Sequence, residues 1–424
     1  MPIEITVLGA GREVGRAAIH VKNLKDESAV LLDYGVSFDE EDRPLFPLAV
    51  SPSKLKAVLV THAHLDHVGA VPFLYISARP LLIMSRLTAK LSKLMIEDMI
   101  KISGYFLPYE YPELIAMLEN VKPIEIGETL EIDNIRIESI NAGHIPGSIM
   151  FKITMGEKSI LYTGDINTID TRLIKGLKPQ NIDADILIIE STYGLYDHPE
   201  RSRVEELFID TVKSVIEDGG NVLVPAFSLG RAQEILTLLI ERLPNANVYY
   251  DGMAKEILNI LLEHREYINR YDLLLKVYER FIAVDKTTLR KKICKEGGNI
   301  IVAPAGMLKG GPALYYIRRL GDNPRNAIIL VSYQAPSTPG RKLLTNGVIE
   351  EGGSRIRAKL YWFDFSSHAG STGLFNVVKS IKNVEKVLLV HGNDDSIYTL
   401  GYRIKDELGI EFEAPANGQT ILIK

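Results

Sequence analysis

Cysteine is almost missing from this chain: 424 residues hold one, Cys294. A single thiol excludes an internal disulfide and any metal site built on clustered thiolates. No apolar run approaches the roughly 20 residues that span a bilayer. The first residues, MPIEITVLGAG, lack the basic start and apolar stretch of a secretory signal. These absences set the expectation of a soluble, cytoplasmic protein without a membrane partner. Positive charge is not in excess either: 49 Lys and Arg face 54 Asp and Glu, for a net charge of −5. That excludes nucleic-acid binding through bulk positive charge, and leaves a local groove or charge brought by bound metal. Low-complexity tracts, internal repeats and long linkers are absent too. What is present, 46% hydrophobic and 24% charged residues, suffices to bury the cores of two or three domains.

The rhythm of the chain changes partway. Residues 3–8, 17–21 and 28–33 alternate or run apolar and β-branched, punctuated by Gly9, Gly11, Gly15 and Gly35, which predicts strands and turns. Residues 55–61 predict a buried strand, 68–76 a helix, and 89–102 a helix with Leu91, Leu94, Met95, Met99 and Ile100 on one face. Further strands are expected at 135–140, 159–162 and 186–189. From about residue 200 strands alternate with helices of 10–15 residues, the pattern of a parallel α/β unit. A Gly-rich, basic stretch at 340–357 closes this region, and residues 361–424 return to strand, helix and strand.

The strongest chemical signal is Thr61-His62-Ala63-His64-Leu65-Asp66-His67, directly after the apolar strand. Three of the chain's nine histidines fall within six positions. His62 and His64 can point the same way from an extended loop, while Asp66 and His67 turn into the next helix and can face a second ion. Imidazole and carboxylate without thiolate suit zinc better than manganese or iron. The bland alternative is a polar surface loop, which this density of ligands argues against. His144, Asp165, His368 and His391 also lie in loops at strand ends, where α/β proteins place their sites. Each taken singly reads as an ordinary loop or cap residue; together they complete two coordination spheres. The run Leu8-Gly9-Ala10-Gly11-Arg12-Glu13-Val14-Gly15 imitates a dinucleotide fingerprint, but its third glycine comes one residue late and a strand follows it. It reads as a tight turn between strands.

The order Asp33, His62-x-His64-x-Asp66-His67, His144, Asp165 resembles the metallo-β-lactamase fold. The later Glu190, His368 and His391 resemble the extra motifs of its β-CASP branch of nucleases. Three further runs carry the likeness through the middle of the chain: Pro225-Ala-Phe-Ser-Leu-Gly-Arg231-Ala-Gln-Glu234, Gly306-Met-Leu-Lys309-Gly-Gly-Pro312 and Thr338-Pro-Gly-Arg341-Lys342-Leu-Leu344. The resemblance implies an α/β architecture: an αββα sandwich formed by residues 1–199 and 356–424, with an inserted α/β β-CASP domain at 200–355. It implies two zinc ions, one on His62, His64 and His144, the other on Asp66, His67 and His391, with Asp165 bridging. Asp33 is expected to orient a ligand histidine. Asp66, Glu190 and His368 are the expected catalytic groups, Glu190 steadying a histidine that gives a proton to the leaving oxygen.

The activity implied is a zinc-dependent ribonuclease acting on single-stranded RNA, by internal cleavage, by 5′→3′ trimming, or both. The alternatives are a non-catalytic RNA-processing subunit and a DNA nuclease of the same branch. The full ligand set argues against the first. His391 argues against the second, since DNA-acting relatives typically carry valine there. A small-molecule hydrolase fits poorly with the inserted domain. The closest likeness is to short archaeal members similar to the cleavage and polyadenylation factor nuclease or to RNase J, with a homodimer as the candidate assembly. Expected RNA contacts are Arg231, Lys309, Arg341 and Lys342, whose bland alternative is a solvated surface. Ser367 and Ser371 are the expected donors of a pocket for a 5′-phosphate, against the alternative that they merely cap a helix.

Overall fold

A computed structural model describes residues 2–350 and 352–423, which form two compact units. The first comprises residues 1–170, 176–197 and 368–424; the second comprises 171–175 and 198–367.

In the first unit two seven-stranded sheets stack. The first runs in the order Thr420–Ile423, Ile3–Gly9, Ala18–Asn23, Ala29–Leu32, Leu55–Leu59, Leu81–Met84, Val121–Pro123. The second runs Glu411–Glu413, Lys386–Val390, Ile186–Glu190, Lys158–Tyr162, Ile149–Met155, Ile135–Asn141, Thr129–Ile132. Strand alternation explains the layering. Ala57 and Leu59 join Ile153, Ile160 and Ile188 in the core between the sheets, whereas Val58 packs outward with Ile96, Met99 and Leu114. Likewise Ile186 and Ile188 face inward, and Leu187 and Ile189 face the helices Ser371–Ser380 and Asp394–Leu408 through Leu374, Val378, Ile397 and Leu400. The result is helix, sheet, sheet, helix.

Parallel pairing matters most for the site. Ala29–Leu32 pairs in parallel with Leu55–Leu59, so Asp33 and the His62 loop leave the sheet at the same end. In the other sheet Lys158–Tyr162, Ile186–Glu190 and Lys386–Val390 are mutually parallel, which brings Asp165, Glu190 and His391 to one edge.

The second unit is a six-stranded parallel sheet, Ile282–Ala283, Asn247–Tyr250, Asn299–Ala303, Val222–Pro225, Ala327–Leu330, Lys359–Trp362. Helices Thr287–Lys295, Gly311–Leu320 and Pro339–Asn346 cover one face through Ile293, Ala313, Ile317 and Leu343.

Two expectations change, and one stretch gains a structure. The strand Lys359–Trp362, assigned by sequence to the returning first domain, pairs with Ala327–Leu330, and the second unit continues to Ser367. The helix expected at 68–76 is broken into Leu65–Val68 and a 3₁₀ turn, Val71–Tyr75, because Pro72 has no N–H to continue it. The Gly-rich stretch beginning at 340 opens as a helix, Pro339–Asn346, capped by the Thr338 hydroxyl, which accepts from the Arg341 amide. The fingerprint-like run is a turn, with strand Ala18–Asn23 returning antiparallel to Ile3–Gly9.

Candidate metal centre and its neighbours

The histidine loop is fixed by its backbone before any side chain acts. The amides of Ala17, Tyr34 and Val36 donate to the carbonyls of Asp66, His67 and Leu65 at 2.7–2.8 Å. Gly35 is required here, since a Cβ would meet the Asp66 carbonyl oxygen at 1.7 Å. Gly164 (φ +51°) answers the same need against Thr61, 2.6 Å from where its Cβ would stand.

Two ligand clusters result. His62, His64, His144 and Asp165 form one; Asp66, His67 and His391 form the other. In the first, His64 Nδ1 lies 3.1 Å from His62 Nε2 and 3.2 Å from His144 Nε2, and Asp165 Oδ2 lies 3.6 Å from both Nε2 atoms. In the second, Asp165 Oδ1 lies 3.3 Å from His67 Nε2 and 3.4 Å from His391 Nδ1, and His391 Nε2 lies 3.5 Å from Asp66 Oδ2. Asp165 therefore turns one oxygen to each cluster. Bonds of 2.0–2.1 Å to a tetrahedral ion put neighbouring ligand atoms about 3.3–3.4 Å apart, so the spacing fits a metal in each. His67 Nε2, Asp165 Oδ1 and His391 Nε2 are buried without a hydrogen-bond partner. Orphaned buried donors and acceptors are costly, and a cation satisfies all three.

The supporting contacts decide which nitrogen faces inward. Asp33, fully buried, takes the Thr61 amide (2.7 Å) on Oδ1 and the Thr61 hydroxyl (2.9 Å), His67 Nδ1 (2.7 Å) and the Tyr162 hydroxyl (2.8 Å) on Oδ2. With Nδ1 donating to Asp33, His67 offers Nε2 as a lone pair. Thr61 Oγ1 is 3.0 Å from His62 Nδ1, and Thr192 Oγ1 is 3.2 Å from His391 Nδ1. His391 itself adopts φ +51° and donates its amide to the Ala10 carbonyl at 2.8 Å.

Electrostatics follow from burial and crowding. Burial, then the charge of His67, hold His62 well below the usual imidazole range, and burial lowers His64. Both rings are thereby held in the neutral form. For His67, burial favours the neutral ring, but Asp165 and Asp33 outweigh it and raise its pKa; Asp165 does the same for His391. Burial alone would raise the carboxyl of Asp165; His67 and His391 instead hold it well below the usual range, and His391 and His67 lower Asp66 likewise.

His368 stands beside the clusters, its Nε2 3.9 Å from Asp165 Oδ2 and its Nδ1 2.9 Å from Glu190 Oε2. Glu190 Oε1 also accepts the Ile166 amide at 2.7 Å. Burial opposes charge on His368, but Glu190 and then Asp165 prevail and push it up to about 9. Asp165, Glu190 and His368 are also close enough to hold an ion among themselves, though the Glu190 contact occupies Nδ1.

The expected RNA contacts fare differently. Arg231 is buried, 7% exposed, and its Nη1 bonds Glu234 at 2.7 Å. Glu234 also receives Arg201, so Arg231 belongs to an internal charge network and does not present a free head to RNA. Lys309 and Arg341 are exposed and Lys342 is half-buried, the last two in the first turn of Pro339–Asn346. Ser371 is buried at the first position of Ser371–Ser380. Its amide donates to the Tyr196 carbonyl (3.1 Å), while the Thr372 amide (2.8 Å) and hydroxyl (2.6 Å) go to Asp197. The helix N-terminus expected to seat a phosphate already holds a carboxylate. The cap residue is Gly370, so Ser367 and Ser371 are not side-chain caps either. Ser367 is half-buried at the end of the second unit.

The sequence assigned no role to the hydroxyls of Thr61, Tyr162 and Thr192. Only Tyr162 left a trace: an inward-facing polar ring at the end of an apolar strand.

Comparison with known proteins gives three domain matches: Metallo-beta-lactamase superfamily over residues 19–177, Beta-Casp domain over 232–343, and Zn-dependent metallo-hydrolase RNA specificity domain over 353–415. Similar curated proteins include RNase aCSPSF2 of Saccharolobus solfataricus, 48% identical over 98% of this chain and 85% of its own. Probable RNase MJ4 of Methanocaldococcus jannaschii is 36% identical, with 92% and 94% covered. Transcription termination factor FttA of the same organism is 33% identical, covering all of this chain and 72% of its own. Among solved structures, an Enterococcus faecalis protein of unknown function shares the fold, with a TM-score of 0.63 at 13% identity over both whole chains.

Proposed function

We propose, for a chain that belongs to the β-CASP family of the metallo-β-lactamase superfamily, that two zinc ions serve one reaction, the hydrolysis of phosphodiester bonds in single-stranded RNA. The chain is a metal-dependent ribonuclease. The observation that carries the two-ion reading is Asp165, whose two oxygens serve different clusters. His62, His64 and His144 would hold one ion, and Asp66, His67 and His391 the other, each completed by Asp165. When bound there, such ions activate water and offset the negative charge that builds on the scissile phosphate.

The chain's own groups do the rest. Asp33, Thr61 and Thr192 hold ligand rings so that the lone pairs face inward. Asp66 stays ionised beside His391 and His67, and so serves as ligand and as hydrogen-bond acceptor for an attacking water. Glu190 fixes His368 through Nδ1 and favours its charged form. The Nε2–H of His368 then points toward the Asp165 side of the site, where it gives its proton to the departing 3′ oxygen. The products are a 5′-phosphate and a 3′-hydroxyl. The presence of all seven ligand residues disfavours a non-catalytic role.

The test is elemental analysis beside cleavage. Purified protein should carry about two zinc ions per chain, and Asp165→Ala should lose them and all cleavage while its far-ultraviolet circular dichroism persists. Cleavage by protein shown to contain no divalent ion would overturn the proposal.

A further inference from the structure

Apart from the short excursion at 171–175, the chain leaves the first unit between Asp197 and His198 and re-enters it between Ser367 and His368. The residue proposed as the proton donor is thus the first one after the return. Its place in the site depends on how both crossing segments are held, and on each side of the crossing they are fastened to one another.

On the second-unit side, His198 Nδ1 bonds Asp364 Oδ2 at 2.7 Å. The other oxygen of Asp364 accepts the Ser366 amide at 3.0 Å. Arg201, three residues beyond His198, donates to the Ser366 carbonyl (3.4 Å) and lies 4.6 Å over the ring of Phe365, itself buried. Its remaining nitrogens pair with Glu205 and Glu234, so the guanidinium is fixed from three sides. On the first-unit side, the Tyr196 carbonyl and the Asp197 carboxylate take the amides of Ser371 and Thr372, and the Thr372 hydroxyl also goes to Asp197. The Ala369 amide donates to the Ile166 carbonyl at 2.7 Å, next to the Ile166 amide that Glu190 holds. Along the chain, His368 falls between the residues of these two fastenings.

Holding the chain this firmly on both sides of one residue exceeds what a simple crossover needs. A polar pair such as His198–Asp364, each about one-tenth exposed, costs desolvation that a hydrophobic pair would avoid. We infer that the two crossing segments form a clasp that aims His368, with His198, Asp364 and Thr372 as positioning residues. This rests on the reading of His368 as the acid. The pair Glu190–His368 fixes the ring's rotation about Nδ1 but not the position of its backbone; the clasp supplies the second constraint. A displacement of about 1 Å at a reacting group can cost on the order of 100-fold in rate.

The experiment uses the full chain with metal bound and two diesters. RNA expels an alkoxide, which needs a proton; bis(p-nitrophenyl) phosphate expels p-nitrophenolate, a weak base that leaves without one. His198→Ala and Thr372→Val should each lower kcat on RNA about 10- to 100-fold. KM and zinc content should hold, and the activated diester should be hydrolysed within about twofold of the parent rate. His198→Asn, which returns an N–H to the place of Nδ1, and Thr372→Ser, which returns the hydroxyl, should restore RNA cleavage. Thr372 is exposed enough that its variants fold even where His198→Ala does not. Equal loss on both substrates, or full activity on RNA, would overturn the clasp. A His368→Ala control that slows both substrates alike would overturn the acid itself, and the clasp with it.

Discussion

Replacing Asp33 by asparagine changes one atom and should remove one metal ion selectively. Asp33 is wholly buried and accepts four hydrogen bonds: one on Oδ1 from the Thr61 amide, and three on Oδ2 from Thr61 Oγ1, His67 Nδ1 and the Tyr162 hydroxyl. Asparagine can accept on only one side. If its nitrogen takes the Oδ1 place, it meets the Thr61 N–H, and a buried donor goes unsatisfied at about 1–3 kcal/mol. If it takes the Oδ2 place, its two N–H groups face three former donors: His67 Nδ1 accepts one, one hydroxyl rotates to accept the other, and the second hydroxyl turns its proton elsewhere. The second arrangement costs less, and it forces His67 to accept at Nδ1 and carry its proton on Nε2, the atom that must be bare to bind metal. Loss of such a supporting carboxylate typically weakens a metal site about 10- to 100-fold, or about 1.4–2.7 kcal/mol. The first cluster should be spared, because His62 Nδ1 still faces the Thr61 oxygen. Titration of Asp33→Asn against a competing chelator should therefore show one tight and one weakened ion, with cleavage recovering as zinc is added. Loss of both ions together, or of neither, would refute the reasoning.

Glu190→Gln should move the alkaline limb of the cleavage rate to lower pH. His368 is lifted to about 9 against burial, chiefly by Glu190, and an acid works only below its pKa, so the rate falls as pH rises through that value and must fall earlier once the carboxylate is gone. An unmoved limb in a pH–rate profile would detach His368 from that step. Reversing Arg341 and Lys342 to glutamate should weaken RNA binding and reduce its dependence on salt, by about 0.7 unit of logarithmic slope for each phosphate of a single strand that is no longer neutralised. Unchanged affinity and slope would return both to the solvated surface. Circular RNA should be cut about as fast as linear RNA bearing a 5′-monophosphate or 5′-triphosphate, since Asp197 already occupies the amides that would read a terminal phosphate. A circle left intact while the monophosphorylated strand is consumed would show that an end is required.

Much of the fold is legible because burial writes itself into sequence as a period. The strands Leu55–Leu59 and Ile186–Glu190 show it directly, with inner and outer residues alternating between two cores, and Ile3–Gly9 shows it by alternating buried Ile3, Ile5 and Val7 with partly exposed Glu4 and Thr6. Partner choice carries no such signature. Lys359–Trp362 is an edge strand, only partly buried, and nothing within those four residues tells which sheet receives it. The glycines of the stretch from Pro339 suggest a loop, yet Thr338 and Pro339 open a helix and Leu343 anchors it. Local composition and local capping disagree there, and capping with burial prevails.

The candidate site divides along the same line. The candidate metal ligands are legible because few side chains can serve, and because parallel strands deliver them beside their supporting carboxylates: His62 with Asp33, and Asp165 and His391 with Glu190. The hydroxyls of Thr61, Tyr162 and Thr192 are not, since a hydroxyl that turns a ring looks in sequence like any other. Charged groups are the least legible, because their fate depends on partners far along the chain. Arg231 and Arg341 both follow a glycine at the start of a helix. Glu234, shared with Arg201 from thirty-three positions before it, draws Arg231 inside, while Arg341 is left exposed. The helix Ser371–Ser380 shows the same logic with the sign inverted. Its small first residues suggest a berth for a bound anion, and an anion is there, but it is Asp197, brought by the other crossing of the chain. The feature that looks like a site for the end of the substrate serves the clasp, holding the segment that follows His368.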